Sequence, residues 1–140
     1  MGCKGDKNGN CRKPDIVYKI TCQECAKKNV TACYYGESNF NEYTRGKQHN
    51  DNYKSTNKDT QEKSAMRRHA KEIHDDKKVD YEMKVMKTFK GDALSRQVYE
   101  SILIVESKKH DKFLMNSKKE FNQALIITAT YNPAGFESNE

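Results

Sequence analysis

The chain has 140 residues, 34% hydrophobic and 33% charged, a length that holds one domain with a small core and a heavily solvated surface. No apolar run approaches the roughly 20 residues of a membrane span, which excludes an integral membrane helix. Its 26 lysines and arginines against 20 acidic residues leave a net charge of +6, which fits a polyanionic partner such as nucleic acid as well as it fits plain solubility.

Residues 1–14 are polar, carry Cys3 and Cys11, and read as an arm or linker ahead of a domain over 15–130, with 131–140 as a tail. The opening Met1-Gly2-Cys3-Lys4-Gly5-Asp6 lacks a signal peptide's apolar core. An intracellular chain is expected, nuclear in a eukaryote, whose five cysteines serve as thiols or metal ligands rather than disulfides. Ile16 to Thr21 and Val30 to Tyr35 are β-branched and aromatic, as paired strands require, and Cys22 to Asn29 forms a long hairpin connection. Asn39-Phe40-Asn41-Glu42 has capping-box spacing, so a helix is expected to open there with Arg45 and His49 on one face.

Asn50 to Lys63 is a polar tract expected as an exposed loop, and Ser64 to His74 follows at helical spacing. Tyr81 to Val85 alternates as a third strand. Asp92 to Ser107 reads as the clearest helix, with Leu94, Val98, Ile102 and Val105 as its apolar stripe. Ala124 to Thr130 reads as a short strand or packed segment before Pro133-Ala134-Gly135 ends regular structure. The fold expected is α/β, a small, mostly antiparallel three-stranded sheet flanked by helices.

Two constellations carry chemistry. Cys22 and Cys25 are three apart and His69 and His74 five apart, spacings that suit a tetrahedral zinc site. Such a site would staple the hairpin connection to a distant helix, and it requires the helix to end or distort before His74 because positions five apart diverge by about 140°. The alternative is a reduced cysteine pair and unrelated histidines. Tyr18, Tyr34, Arg45 and His49 could furnish proton acceptors and a cation for phosphodiester cleavage, with Glu100 as a carboxylate for a divalent ion. Strand aromatics, and a Glu100 paired with Arg96 on a solvated face, are the alternative.

Val17-Tyr18, Tyr34-Tyr35-Gly36-Glu37-Ser38, Thr44-Arg45 with His49, Tyr99-Glu100-Ser101, and Met115-Asn116-Ser117-Lys118 through Phe121-Asn122 form an ordered set that resembles the GIY-YIG endonucleases over residues 16–123. The match departs from the family at Ile16, where a glycine is usual, and at Tyr35, where an isoleucine is usual. The cysteine pair, the Ser64-Ala65 segment with His69 and His74, and Glu100-Ser101-Ile102-Leu103-Ile104 resemble the endonuclease domain of Penelope-like retroelements most closely.

The resemblance implies Tyr18 as general base, Tyr34 as a residue positioning water or phosphate, Arg45 as transition-state stabiliser and His49 beside it. It implies Glu100 as the ligand of Mg²⁺ or Mn²⁺ and Asn122 as the active-site asparagine, with Asn116 its rival. It implies Zn²⁺ on Cys22, Cys25, His69 and His74. Lys47, Lys63, Arg67 and Arg68 are expected on DNA phosphates. The function implied is a divalent-metal-dependent nuclease acting on double-stranded DNA, whose nick primes a reverse transcriptase domain of the same polypeptide. A non-catalytic, zinc-stapled nucleic-acid-binding module, or a GIY-YIG nuclease of intron homing or repair, is the alternative.

Overall fold

A computed structural model describes residues 12–110 and 113–131. Cys3, Cys11, most of the expected arm and the Pro133-Ala134-Gly135 segment lie outside them. Strand β1 (Ile16–Cys22) runs into the short helix α1 (Gln23–Lys27), and β2 (Ala32–Ser38) returns beside it. Helices α2 (Glu42–Lys54), α3 (Lys58–Lys63) and α4 (Ala65–Ile73) follow, then β3 (Tyr81–Thr88), α5 (Ala93–Lys109), β4 (Phe113–Leu114) and α6 (Lys118–Tyr131).

The sheet has four strands in the order β3-β1-β2-β4, so the expected three-stranded sheet is corrected to a four-stranded mixed one. β1 pairs antiparallel with β2 and β3, while β4 lies parallel to β2 through Ala32–Phe113 and Cys33–Leu114. Two residues carry no readable periodicity, which is why this strand leaves no mark in the sequence.

Alternation along the strands divides the core in two. Ile16, Tyr18, Ile20 and Cys22 point to one face with Ala32, Tyr81 and Met83, and pack against Ala65, Met66 and Ala70 of α4. Cys33 and Tyr35 point to the other, against Ile104 and Val105 of α5 and Ala124 of α6. The sheet is therefore sandwiched between α2–α4 and α5–α6.

Several expected boundaries shift. α2 begins at Glu42, where Asn41 rather than Asn39 is the cap, its side chain accepting from Thr44 N at 2.8 Å. The tract expected as a loop, Asn50 to Lys63, is mostly helical: α2 continues to Lys54, and Asn57 caps α3 by accepting from Thr60 N at 3.1 Å. Ala124 to Thr130 lies within α6, not in a strand. Leu94 is 51% exposed, whereas Arg96 is 7% exposed. The buried face of α5 is thus rotated from the expected stripe, because Arg96 donates to Glu37 and, at 2.7 Å, to Asp15. No helix among the described residues is long and apolar enough to cross a membrane.

Candidate active site and metal centre

Tyr18 is a central-strand residue with 0% exposure, and its ring lies across Gly36, its register partner on β2. A Cβ at position 36 would meet Tyr18 Oη at 2.3 Å and Cζ at 2.4 Å, so only glycine fits there. The hydroxyl emerges beneath α2. Arg45 Nε donates to Tyr18 Oη at 3.1 Å, and Tyr18 Oη stands 2.7 Å from His49 Nε2. Either atom can be the donor of that bond; the tautomer with the His49 proton on Nδ1 makes the phenol the donor.

Burial pushes the Tyr18 phenol up to about 12, opposed by the neighbouring Arg45 guanidinium. Burial and Arg45 together hold His49 down at about 3, so the ring is neutral near pH 7. Tyr34 lies edge-on to His49 with ring centroids 5.7 Å apart, and burial raises its phenol well above the ordinary range. A cavity of about 90 Å³ opens among Tyr34, Arg45, His49, Lys63 and Glu120.

Glu100 lies on α5 and lines a second cavity, of about 190 Å³, with Glu37 and Glu120. Burial and the charges of Glu37 and Glu120 raise its carboxyl to about 8, although Arg96 opposes them. Glu100 is not an i,i+4 partner of Arg96 on a solvated face; Arg96 turns to Glu37 and Asp15.

The remaining expected residues divide. Of the two asparagines, Asn116 is buried and accepts from Tyr35 N at 3.0 Å while donating to Tyr35 O at 2.8 Å. Asn122 is exposed on α6 and lines neither cavity. Of the basic residues, Lys63 lines the tyrosine cavity. Lys47 is exposed and paired with Asp51 at 2.9 Å, Arg67 with Asp76 at 3.0 Å, and Arg68 donates to Glu62 O at 2.8 Å. Glu120 was not among the expected site residues, although Ser117 three positions before it has capping-box spacing. Gly36 carried its signal in its place between the two motif halves, Tyr34-Tyr35 and Glu37-Ser38.

At the far end of β1, Cys22, Cys25, His69 and His74 bring their ligand atoms within 4.8 Å of one another. Cys25 Sγ lies 3.4 Å from His69 Nε2, Cys22 Sγ 3.4 Å from His74 Nε2, and the two Nε2 atoms 3.2 Å apart. A zinc tetrahedron with bonds of about 2.3 Å to sulfur and 2.0 Å to nitrogen has edges of roughly 3.3–3.8 Å, and these three separations lie at or close to the short end of that range.

Local structure explains the convergence. Cys22 caps α1 and accepts from Cys25 N at 3.4 Å, which holds both thiols in one turn. α4 stops at Ile73, so His74 leaves the helix and swings toward His69, while Asp75 and Asp76 (φ 53° and 59°) reverse the chain. Burial lifts the Cys25 thiol to about 11, Cys22 adding to it, and burial with His74 lowers His69 to about 4. The histidine is thus ready as a neutral ligand, while the raised Cys25 thiol gives up its proton to a metal. This buried Cys₂His₂ group could hold a structural metal such as zinc.

No protein-family model matches the chain, and no curated protein or solved structure matches it either.

Proposed function

We propose that the chain is a divalent-metal-dependent DNA endonuclease of GIY-YIG type that hydrolyses one phosphodiester per site and therefore nicks. The observation that carries this reading is the convergence of Tyr18, Arg45 and His49, from β1 and α2, on a single hydroxyl at 3.1 and 2.7 Å. A core needs no such arrangement. A protein that merely binds phosphates needs cations at its surface, not a buried phenol hydrogen-bonded to an imidazole kept neutral.

In the mechanism, water gives its proton to Tyr18 Oη as Tyr18 passes its own to His49 Nε2. The relay spares the phenol from existing as a free phenolate, which its raised pKa disfavours. Arg45 receives the phosphate oxygens. A phosphodiester anion set against the guanidinium also offsets the part of His49's lowered basicity that Arg45 causes, so substrate binding makes the imidazole a better acceptor. Glu100 would hold Mg²⁺ or Mn²⁺, which supplies Lewis-acid stabilisation of the leaving oxygen. Of the four basic residues expected on DNA, Lys63 is the one that lines the cavity with Arg45 and could meet a phosphate there.

Zinc on Cys22, Cys25, His69 and His74 is structural in this reading, tying α4, and with it one side of the cavity, to the end of β1. The retroelement setting rests on the resemblance alone; there a nick supplies the 3′-hydroxyl for a reverse transcriptase domain of the same polypeptide.

The test is a supercoiled-plasmid assay with Mg²⁺ or Mn²⁺, running Glu100→Ala beside the native chain. Open-circle product from the native chain only is expected. Binding without cleavage in both would overturn the nuclease reading in favour of a zinc-stapled nucleic-acid-binding module.

A further inference from the structure

Glu120 stands where the two cavities meet, lining both. Its position follows from an unusual end to the sheet. After Leu114, Met115 N donates to Cys33 O at 2.7 Å, the last backbone bond of the parallel pair. The side-chain amide of Asn116 then takes over, bonding both the N–H and the carbonyl of Tyr35. That clamp sets the start of α6 beside Tyr34, the preceding residue of β2.

At the start of α6 a reciprocal capping box forms. Glu120 N donates to Ser117 Oγ at 3.1 Å, and Ser117 N donates to Glu120 Oε1 at 2.9 Å. The fold thereby consumes one carboxylate oxygen and leaves the other. Oε2 accepts from Asn116 Nδ2 at 3.3 Å and from Tyr34 Oη at 3.4 Å.

We propose that Glu120 is a positioning residue that fixes the direction of the Tyr34 hydroxyl, a role that rests on the nuclease reading above. A phenol donates one hydrogen bond. With that proton committed to Glu120 Oε2, the lone pairs of Tyr34 Oη are left for a donor in the cavity. A water there gives Tyr34 one of its hydrogens and keeps its own lone pair for phosphorus. Turned round, the phenol would donate to the water and occupy the pair needed for attack. A carboxylate can hold this polarity because it only accepts.

Glu120→Gln separates this role from the helix cap. A glutamine satisfies the capping box through its carbonyl. That leaves the NH₂ group facing the Asn116 amide and the Tyr34 hydroxyl, where an acceptor is required. Thermal stability should stay close to native, while the nicking rate at saturating DNA falls about tenfold to a hundredfold, as for loss of a hydrogen bond to a charged group. DNA affinity should not fall, since the substitution only removes a negative charge from the cavity wall.

Because the effect runs through Tyr34, Tyr34→Phe combined with Glu120→Gln should be no slower than Tyr34→Phe alone. A native nicking rate in Glu120→Gln, or losses that multiply in the double variant, would overturn the proposal. Labelling the tyrosine Cζ atoms with carbon-13 supplies a readout free of cleavage. The resonance missing from Tyr34→Phe should move in Glu120→Gln, and an unmoved resonance would overturn the contact. A moved resonance in a native chain that nicks nothing would leave the contact standing and sink the nuclease reading instead.

Discussion

Gly36→Ala perturbs the site without altering a charged or polar side chain. The new methyl would lie 2.3 Å from Tyr18 Oη, 2.4 Å from Cζ and 2.8 Å from Cε2. Relaxed carbon contacts begin near 3.5 Å, so ring and strand must separate by about 1 Å. Tyr18 has little room to yield, being fully buried with its hydroxyl held by Arg45 and His49.

Overpacking of this kind destabilises by about 1–3 kcal/mol, and each hydroxyl bond that breaks adds about 1 kcal/mol. Alanine's smaller unfolded-state entropy returns about 0.4–1 kcal/mol. A net loss of about 2 kcal/mol is expected, read as a lower urea midpoint at unchanged slope. Nicking should fall with it, because the displaced hydroxyl no longer meets both partners. Adding Tyr18→Phe should relieve only part of the strain, since Cζ remains as close as the oxygen it carries. A Gly36→Ala chain with native stability and native nicking would refute the packing of Tyr18 on Gly36.

Cys22→Ser should purify without the zinc expected in the native chain and unfold at lower urea, because a structural metal contributes folding free energy outright; equal zinc in both by elemental analysis would refute the assignment. For Glu100, raised to about 8 from an ordinary 4.5, the folded state keeps a proton that the unfolded chain has lost between those values. The resulting stabilisation is complete below about pH 4.5, declines as pH rises toward 8, and is gone above it. Glu100→Gln cannot ionise, so the native-minus-variant difference in stability, measured without divalent cations, should fall across that window. A level difference would show that the carboxyl is not raised.

The sequence is most legible where chemistry demands particular residue types at fixed spacing. The Cys₂His₂ group, including the requirement that the helix end before His74, follows from ligand geometry. The tyrosine, arginine and histidine set came from ordered motifs, since periodicity alone leaves Tyr18 and Tyr34 as ordinary strand aromatics. Illegible parts have local causes. Ala124 to Thr130 is rich in β-branched residues, yet the Ser117–Glu120 capping box and burial of Ala124 against α5 hold it in helix. Asn50 to Lys63 lacks an apolar stripe because these helices border a polar cavity, so moment-based reasoning finds nothing there. The exposure of Leu94 and burial of Arg96 invert composition-based expectation, and only the carboxylates of Asp15 and Glu37, distant in sequence, explain it.

The Cys₂His₂ group also changes the connectivity of the molecule. Its cysteines precede β2 and its histidines sit on and just after α4, so a bound metal would make a closed ring of the intervening chain. Tyr34, Arg45, His49 and Lys63 all ride inside that ring, with Tyr18 and Glu100 outside it. A single protease cut at the exposed Thr56–Asn57 link between α2 and α3 would therefore break the polypeptide without freeing either piece. The two fragments would travel together, one bringing thiolates and the other imidazoles to the ion, which would add a metal link to the β1–β3 pairing that already joins them.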